Sequence, residues 1–160
     1  MNRRDRPPPT MLGWREWVAL PSWGVPAIKA KVDTGARTSA LHAFDLETFE
    51  RDDETWVRFL IHPWQRSNAD EIEVVAPRCD VRRITSSSGS TDVRPVVHAD
   101  VALGQAELAI EITLTRRDEM GFRMLLGRQA LRGRFTVDPA RSYLTGRPDR
   151  ETRLRNRGRA

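Results

Sequence analysis

The feature that most limits how this chain can fold is a pair of long alternating runs in its second half. Apolar side chains occupy every second position of residues 97–103 and again of residues 106–114, on either side of Gly104. A period of two is typical of a strand with one face on the core. Glycine between two such runs favours a tight turn. The two runs therefore predict an antiparallel hairpin.

Shorter runs of the same kind fill most of the remaining chain. Many short strands, frequent glycine and proline, and almost no helical period predict an all-β protein, a small closed or partly open β-barrel with one short C-terminal helix. The acidic stretch 45–54 is interpreted as a loop or a short helix. The predicted strands are 12–20, 27–33, 41–43, 56–61, 72–75, 81–85, 93–97, 122–126, 135–138 and 142–144, and the predicted helix is 128–131.

Length and charge suggest one domain with two basic ends. A chain of 160 residues with 39% hydrophobic content can bury one core, which we place at residues 11–146. The net charge is +5, of which residues 1–10 contribute +2 and residues 147–160 contribute +4. We expect both ends to be disordered tails. Such tails either contact ribosome or RNA or only keep the protein in solution.

Two absences in the sequence bear on where the protein works. The sequence has no apolar run of membrane-spanning length, and its first residues lack the apolar segment of a secretory signal. A cytoplasmic protein without membrane contact is therefore expected. Cys79 is the single cysteine, which excludes an intrachain disulfide and a cysteine-rich zinc site.

The segment Val-Asp-Thr-Gly-Ala-Arg-Thr-Ser-Ala at 32–40 is the strongest candidate for chemistry. An alternating strand delivers Asp33, Thr34 can donate and accept hydrogen bonds, and Gly35 and Ala36 allow a substrate or backbone to come close. Asp-Thr-Gly alone is more often an ordinary turn. A second block at 124–131, Met-Leu-Leu-Gly-Arg-Gln-Ala-Leu, is an apolar strand that runs into glycine and a helix-like segment.

These two blocks, in this order, resemble the retropepsin family of single-lobed aspartic proteases. The chain is more similar to a bacterial branch of that family, labelled ATP-dependent zinc proteases and associated with RimK-type ATP-grasp glutamate ligases. The resemblance implies that Asp33, Thr34 and Gly35 are the catalytic motif. It is carried further by Gly-Trp-Arg-Glu at 13–16, residues 31–42, Ser-Gly at 88–89, Arg-Pro-Val at 94–96 and Arg117.

An aspartic protease needs two carboxylates that share one proton, and this chain supplies one Asp-Thr-Gly. A homodimer that pairs Asp33 with Asp33 of a second copy is the economical solution. By resemblance, Thr34 braces the two loops. Asp33 and Gly127 are expected to lie side by side in the barrel, because the glycines permit close packing of two turns. No cofactor is expected.

The charge around the motif suggests an acidic substrate. Viral retropepsins have an acidic residue after Asp-Thr-Gly-Ala, whereas this chain has Arg37, which cannot neutralise Arg128. Unpaired guanidinium groups bind carboxylates well, and the link to glutamate ligases implies glutamate-rich or glutamate-tailed proteins. The alternative is that these cations are solvated or paired with Glu16 or Asp118. The predicted substrate-binding residues are Ala36, Arg37, Lys31, Arg94, Gly127 and Arg128.

The polar segment 86–92 lies between two predicted strands. It is either a flap over the substrate, as the resemblance implies, or an ordinary surface turn.

The label of a zinc- and ATP-dependent protease has little support in the residues. The sequence contains no phosphate-binding loop and no His-Glu-x-x-His motif, and its three histidines are 20 and 36 residues apart. No metal is expected, with His42 as the one weak candidate ligand. The competing class of function is a non-catalytic β-barrel that binds ribosome, RNA or a protein partner. Catalysis requires the Asp33 carboxylate, and a binding module does not.

Overall fold

The computed structural model describes residues 7–86, 88–116 and 121–159. The described residues form strands and a few short helices, so the all-β prediction is confirmed. The strands are β1 (Thr10–Leu12), β2 (Arg15–Leu20), β3 (Val25–Asp33), β4 (Ser39–His42), β5 (Phe44–Arg51), β6 (Glu54–Ile61), β7 (Ile72–Pro77), β8 (Asp80–Thr85), β9 (Thr91–Leu103), β10 (Ala106–Thr115), β11 (Met124–Gly127) and β12 (Phe135–Val137). The helices are α1 (Arg128–Leu131) and α2 (Arg150–Asn156), and a 3₁₀ turn spans Pro21–Trp23.

Six strands form a closed barrel. They pair in the order β2-β3-β11-β4-β10-β9, and β9 returns to β2 where Ala19 faces Ala102. Strand β8 continues the sheet beyond β9. Closure leaves few unpaired strand edges in this part of the molecule. The predicted barrel is therefore present.

The alternating runs build the barrel core. In the hairpin of β9 and β10, Val97 faces Ile112 and Leu103 faces Ala106, as the sequence predicts. Val97 and Ile112 have no exposed surface. Gly104 takes a positive φ of 60° in the two-residue turn, a conformation that suits glycine.

A second sheet corrects one prediction. Residues 45–54 are not a loop or a helix, because β5 covers most of them and pairs with β6, which pairs in turn with β7. Asp52 and Asp53 turn the hairpin with φ of 51° and 62°. Aspartate tolerates this left-handed conformation better than most residues. The acidic composition concealed a strand whose Leu46 packs against the core.

The C-terminal segment departs from the prediction in two places. Residues 142–144 are not a strand, because the buried Glu16 holds them in a turn. Its carboxylate accepts hydrogen bonds from the amides of Gly13, Leu144 and Thr145, at 2.7, 3.0 and 3.1 Å, and from the Thr145 hydroxyl. A buried carboxylate with four donors satisfies its charge without a cation.

The predicted disordered tail at 147–160 contains helix α2 instead. Asp149 caps the helix by accepting a hydrogen bond from the Thr152 amide at 2.8 Å, and this bond holds the pKa of Asp149 below its ordinary value. Gly158, at φ 70°, ends the helix. The arginine-rich composition suggested disorder, but capping residues at both ends stabilise a helix.

The other predicted tail, residues 1–10, lies largely outside the described residues. Its last residue, Thr10, begins β1, which pairs with β12. Among the described helices, none has the length and apolar content that a membrane crossing requires.

Candidate active site

The topology brings the two sequence blocks together. Strand β3 ends at Asp33, and the chain returns as β4, which does not pair with β3. Strand β11 lies between them, parallel to β3 and antiparallel to β4. Asp33 and Gly127 are partners in the register of β3 and β11. Neighbouring strands are about 5 Å apart, so the predicted adjacency of the two blocks is confirmed.

The loop after β3 fixes one oxygen of the Asp33 carboxylate. Oδ1 accepts hydrogen bonds from the backbone amides of Gly35, at 2.9 Å, and Ala36, at 3.2 Å. Among the described residues, Oδ2 has no hydrogen-bond donor. Asp33 itself is half-buried. One carboxylate oxygen is thus positioned by the loop, and the other can bind water or substrate.

The block at 124–131 packs against this loop and holds it through hydrogen bonds. The Arg128 amide donates to the Ala36 carbonyl at 2.7 Å, and the Gly127 amide donates to the Ser39 hydroxyl at 3.0 Å. The Arg128 guanidinium donates to the Thr34 carbonyl at 2.9 Å. A Cβ on Gly127 would lie 2.5 Å from the Thr38 carbonyl carbon. Glycine is therefore required here for close approach of the two backbones.

A cleft of about 500 Å³ opens beside the Asp33 loop. Thr85, Ser86 and Arg94, from the hairpin of β8 and β9, line one side of it. Residue 87 lies outside the described residues, and the flap interpretation of segment 86–92 stays a prediction. Asp33 is the sole carboxylate among the described residues that line the cleft. The other lining residues are Gly35, Ala36, Ala40, His42, Thr85, Ser86, Arg94, Thr115 and residues 122–125.

The predicted cationic residues have different surroundings. Arg37 is exposed and lines an adjoining cavity of about 700 Å³, which Arg94 also lines. The Arg94 side chain lies 3.2 Å from Asp92 and is thus paired. Lys31 is half-buried and lines neither cavity.

Arg37 has no carboxylate partner within the described part of the chain. Glu16, one of its two suggested partners, is bound by Gly13, Leu144 and Thr145 instead. Asp118, the other, lies outside the described residues. The exposed guanidinium of Arg37 is therefore accessible to a ligand at the edge of the cleft.

The residues near Asp33 do not fit a zinc site. His42 is buried and lines the cleft, but its ring stacks on Phe44, with ring centres 4.2 Å apart. Phe44 also stacks on His62, so an aromatic ring separates the two histidines. A zinc ion needs three or four ligands around one point. In the described residues, metal-ligand side chains converge at Cys79, His98 and Glu111, which do not line the cleft.

Arg123 is a cleft residue that the sequence did not single out. Its side chain is buried, and its Nε donates to the Trp64 carbonyl at 3.2 Å while the guanidinium lies over Phe44. The only signal in the sequence is a charged residue at the start of the apolar run 122–126. Placing it in the cleft required the position of β11.

Comparison with known proteins gives a consistent result over most of the chain. Residues 11–148 match the model of a family described as RimB-like, retropepsin-like aspartic endopeptidase RimB. The chain is also similar to the crystal structure of Lpg0085, a Legionella pneumophila protein of unknown function. That similarity has a TM-score of 0.69 at 26% identity and covers 85% of this chain and 98% of the other.

Longer proteins contain a similar segment. The chain is 46% identical over 136 residues to a probable alpha-L-glutamate ligase of Parasynechococcus marenigrum, covering 85% of this chain and 29% of the ligase. It is 42% identical over 142 residues to a probable alpha-L-glutamate ligase of Desulfotalea psychrophila, covering 89% of this chain and 31% of the ligase. The chain thus spans about three-tenths of the length of these curated relatives.

Proposed function

This chain belongs to the RimB-like family of retropepsin-like aspartic endopeptidases, and from that premise we propose that it is a homodimeric peptidase acting at Asp33. Its proposed substrates are acidic proteins, glutamate-rich or bearing a glutamate tail. The observation that carries the proposal is the Asp33 loop, in which two backbone amides hold one carboxylate oxygen and leave the other free for chemistry.

The dimer follows from the number of carboxylates. Asp33 is the sole acid lining the cleft within the described residues, whereas the aspartic mechanism requires two. A second copy, related by a two-fold axis, supplies the second Asp33. Thr34 is exposed at the start of the loop after β3, so its hydroxyl is available to brace the partner's loop.

The proposed mechanism uses the two Asp33 carboxyl groups in turn. They share one proton, because two adjacent carboxylates are costly to ionise together. The ionised group takes a proton from water as the water oxygen bonds to the scissile carbonyl carbon. The protonated group gives its proton to the carbonyl oxygen. The C–N bond of the tetrahedral intermediate then breaks as the nitrogen takes a proton from the first carboxyl group. A hydroxyl group of the intermediate gives its proton to the second carboxyl group, which releases the acid and amine products and restores the shared-proton pair.

Two observations support an acidic substrate. Arg37 offers a guanidinium group without a carboxylate partner in the described part of the chain, and guanidinium groups bind carboxylates through paired hydrogen bonds. The second observation is that relatives named glutamate ligases contain a similar segment. A glutamate ligase adds the residues that such a peptidase would remove.

The test uses synthetic peptides that differ only in a C-terminal glutamate tail. Purified protein should shorten the tailed peptide, with products read by mass spectrometry. Asp33→Asn is the matched control, because the amide oxygen still accepts from the Gly35 and Ala36 amides while the ionisable group is lost. Tail removal that persists in this variant would rule out the proposed mechanism. No cleavage by either protein, with the tailed peptide still bound, would favour a non-catalytic binding module.

A second variant tests the specificity. Arg37→Ala should lower kcat/KM on the tailed peptide about tenfold, or 1.4 kcal/mol, because a charge-assisted contact covered by substrate is lost. A neutral peptide should lose much less. Arg51→Ala, which removes an exposed arginine outside both cavities, is the control. Equal losses on tailed and neutral peptides would show that Arg37 is structural.

A further inference from the structure

A second concave surface lies on the outside of the barrel, next to the active cleft. This basic groove has a volume of about 570 Å³ and is defined by five cations. No carboxylate is among the described residues that line it. Such a concentration of one charge makes a strong local potential for anions. The five cations are Arg15, Lys29, Arg66, Arg157 and Arg159.

Helix α2 builds one wall of the basic groove. Asn156, 2% exposed, accepts from the Gln65 amide at 3.0 Å and donates to the Gln65 side chain at 2.9 Å. Its carbonyl accepts from the Arg66 amide at 3.2 Å. These bonds attach the C-terminal end of helix α2 to residues 65–66. The docking places Arg157 and Arg159 beside Arg66.

Strands β2 and β3 build the opposite wall. The Arg15 guanidinium lies over the rings of Trp14 and Tyr143, at 4.6 and 5.0 Å. The Lys29 ammonium lies 5.3 Å from the Tyr143 ring. Neither cation has an ion-pair partner within the described residues. The rings restrict both side chains without neutralising them, so their charge is available to an anion.

The basic groove adjoins the active cleft. Phe122 lines both of them, and it packs edge-on against Trp14, with ring centres 5.9 Å apart. Lys29 precedes Asp33 by four residues on the same strand and the same face. At about 3.3 Å per residue, the two lie roughly 13 Å apart along β3. An extended peptide needs about four residues to cover that distance.

We infer that the basic groove binds the part of an acidic peptide that extends beyond the scissile bond, with about four glutamate side chains between Asp33 and the groove cations. This inference rests on the proposed function and adds to it a tail-binding site. A single-stranded nucleic acid is the competing anion. The groove favours the peptide, because recognition of single strands uses exposed aromatic faces, and the Trp14 ring is covered by Arg15.

The experiment measures binding apart from cleavage. Full-length protein carrying Asp33→Asn is titrated into fluorescein-labelled octaglutamate, octaglutamine or an eight-nucleotide RNA, and fluorescence anisotropy gives each Kd. A second protein adds Arg66→Glu and Arg159→Glu in the groove. Its matched control adds Arg51→Glu and Arg134→Glu, the same charge change at exposed positions outside the groove and the cleft.

The basic groove predicts that octaglutamate binds and octaglutamine does not. The groove variant should raise the octaglutamate Kd at least tenfold, and the control at most about twofold, since only the former reverses charges at the site. Equal effects of the two variants would overturn the inference, as would tighter binding of RNA than of octaglutamate. Should the groove variant lack a thermal unfolding transition, Lys29→Gln replaces it, with at least a threefold rise in Kd expected.

The same proteins separate this inference from the proposed function. Groove-dependent binding in the Asp33→Asn background, without any cleavage by the wild type, would overturn the peptidase and leave the groove assignment in place. Cleavage of the tailed peptide by the wild type, with the same Kd in groove and control variants, would overturn the groove assignment and leave the peptidase in place. Cleavage should also rise with tail length up to about four residues beyond the scissile bond.

Discussion

The Gly127→Ala substitution tests how the two blocks of the site depend on each other. An added Cβ would lie 2.5 Å from the Thr38 carbonyl carbon, 2.7 Å from its oxygen and 2.9 Å from the Ser39 amide nitrogen. Ordinary contacts begin at 3.4 Å. The loop backbone must therefore move by roughly 0.9 Å, which is overpacking of a close-packed site.

The expected cost combines two terms. Overpacking costs about 1–3 kcal/mol, and the hydrogen bond from the Gly127 amide to Ser39 adds about 1 kcal/mol if the loop shift breaks it. A total of about 2–4 kcal/mol lowers Tm by roughly 4–16 °C in a chain of this size. Displacement of the Asp33 loop by about 1 Å should also lower kcat about 100-fold.

Thermal unfolding by circular dichroism and cleavage of a tailed peptide measure the two effects. Gly146→Ala is the control, since its Cβ has no atom within 4 Å and only the backbone conformation, at φ 122°, opposes it. That variant should lose some stability and keep its activity. A Gly127→Ala protein with Tm within 2 °C of wild type and activity within twofold would refute the steric argument.

Glu16, the Cys79 thiol and the response to a chelator each offer a further test. Glu16→Gln should destabilise the fold by about 1–3 kcal/mol in urea titrations, because the new side-chain NH2 group would face donors whose hydrogen bonds the buried carboxylate now accepts. An unchanged midpoint would contradict this. Although Cys79 is exposed, partial desolvation of its thiol, and then the nearby Glu111 carboxylate, raise the pKa of Cys79. Less thiolate is then present at neutral pH, so iodoacetamide should react slowly at pH 7 and faster as pH rises, and Glu111→Gln should speed the reaction at pH 7. EDTA should leave peptide cleavage intact. If EDTA abolishes cleavage and added zinc restores it, the Asp33 mechanism is wrong, the protease is metal-dependent and His42 becomes a ligand candidate.

The sequence was most informative where alternation was regular. The hairpin of β9 and β10 and the strand leading to Asp33 follow directly from apolar residues at every second position. Strand β5 was missed because it has as many acidic residues as apolar ones, three of each, and of the apolar residues only Leu46 packs against the core. Composition describes a whole segment, whereas a strand needs only a few apolar residues on one side.

The sequence predicts a set of site residues but not their surroundings. The expectation that Gly127 lies beside Asp33 rests on the glycines of the two blocks and on the family resemblance, because pairing between strands about 90 residues apart leaves no local signal. The position of α2 could not be predicted either. That position depends on hydrogen bonds between Asn156 and Gln65, two polar residues far apart in the sequence. The basic groove forms only because of this contact.

Subunit mixing tests most directly whether Asp33 is a catalytic group shared between two copies. Wild type and Asp33→Asn are mixed in equal amounts and allowed to exchange, exchange is verified by native mass spectrometry, and cleavage is compared with unmixed wild type at the same total concentration. Random pairing leaves about a quarter of the dimers with two carboxylates, so about 25% of full activity is expected. About 50% would mean that each copy works alone, and full activity would mean that Asp33 is not catalytic.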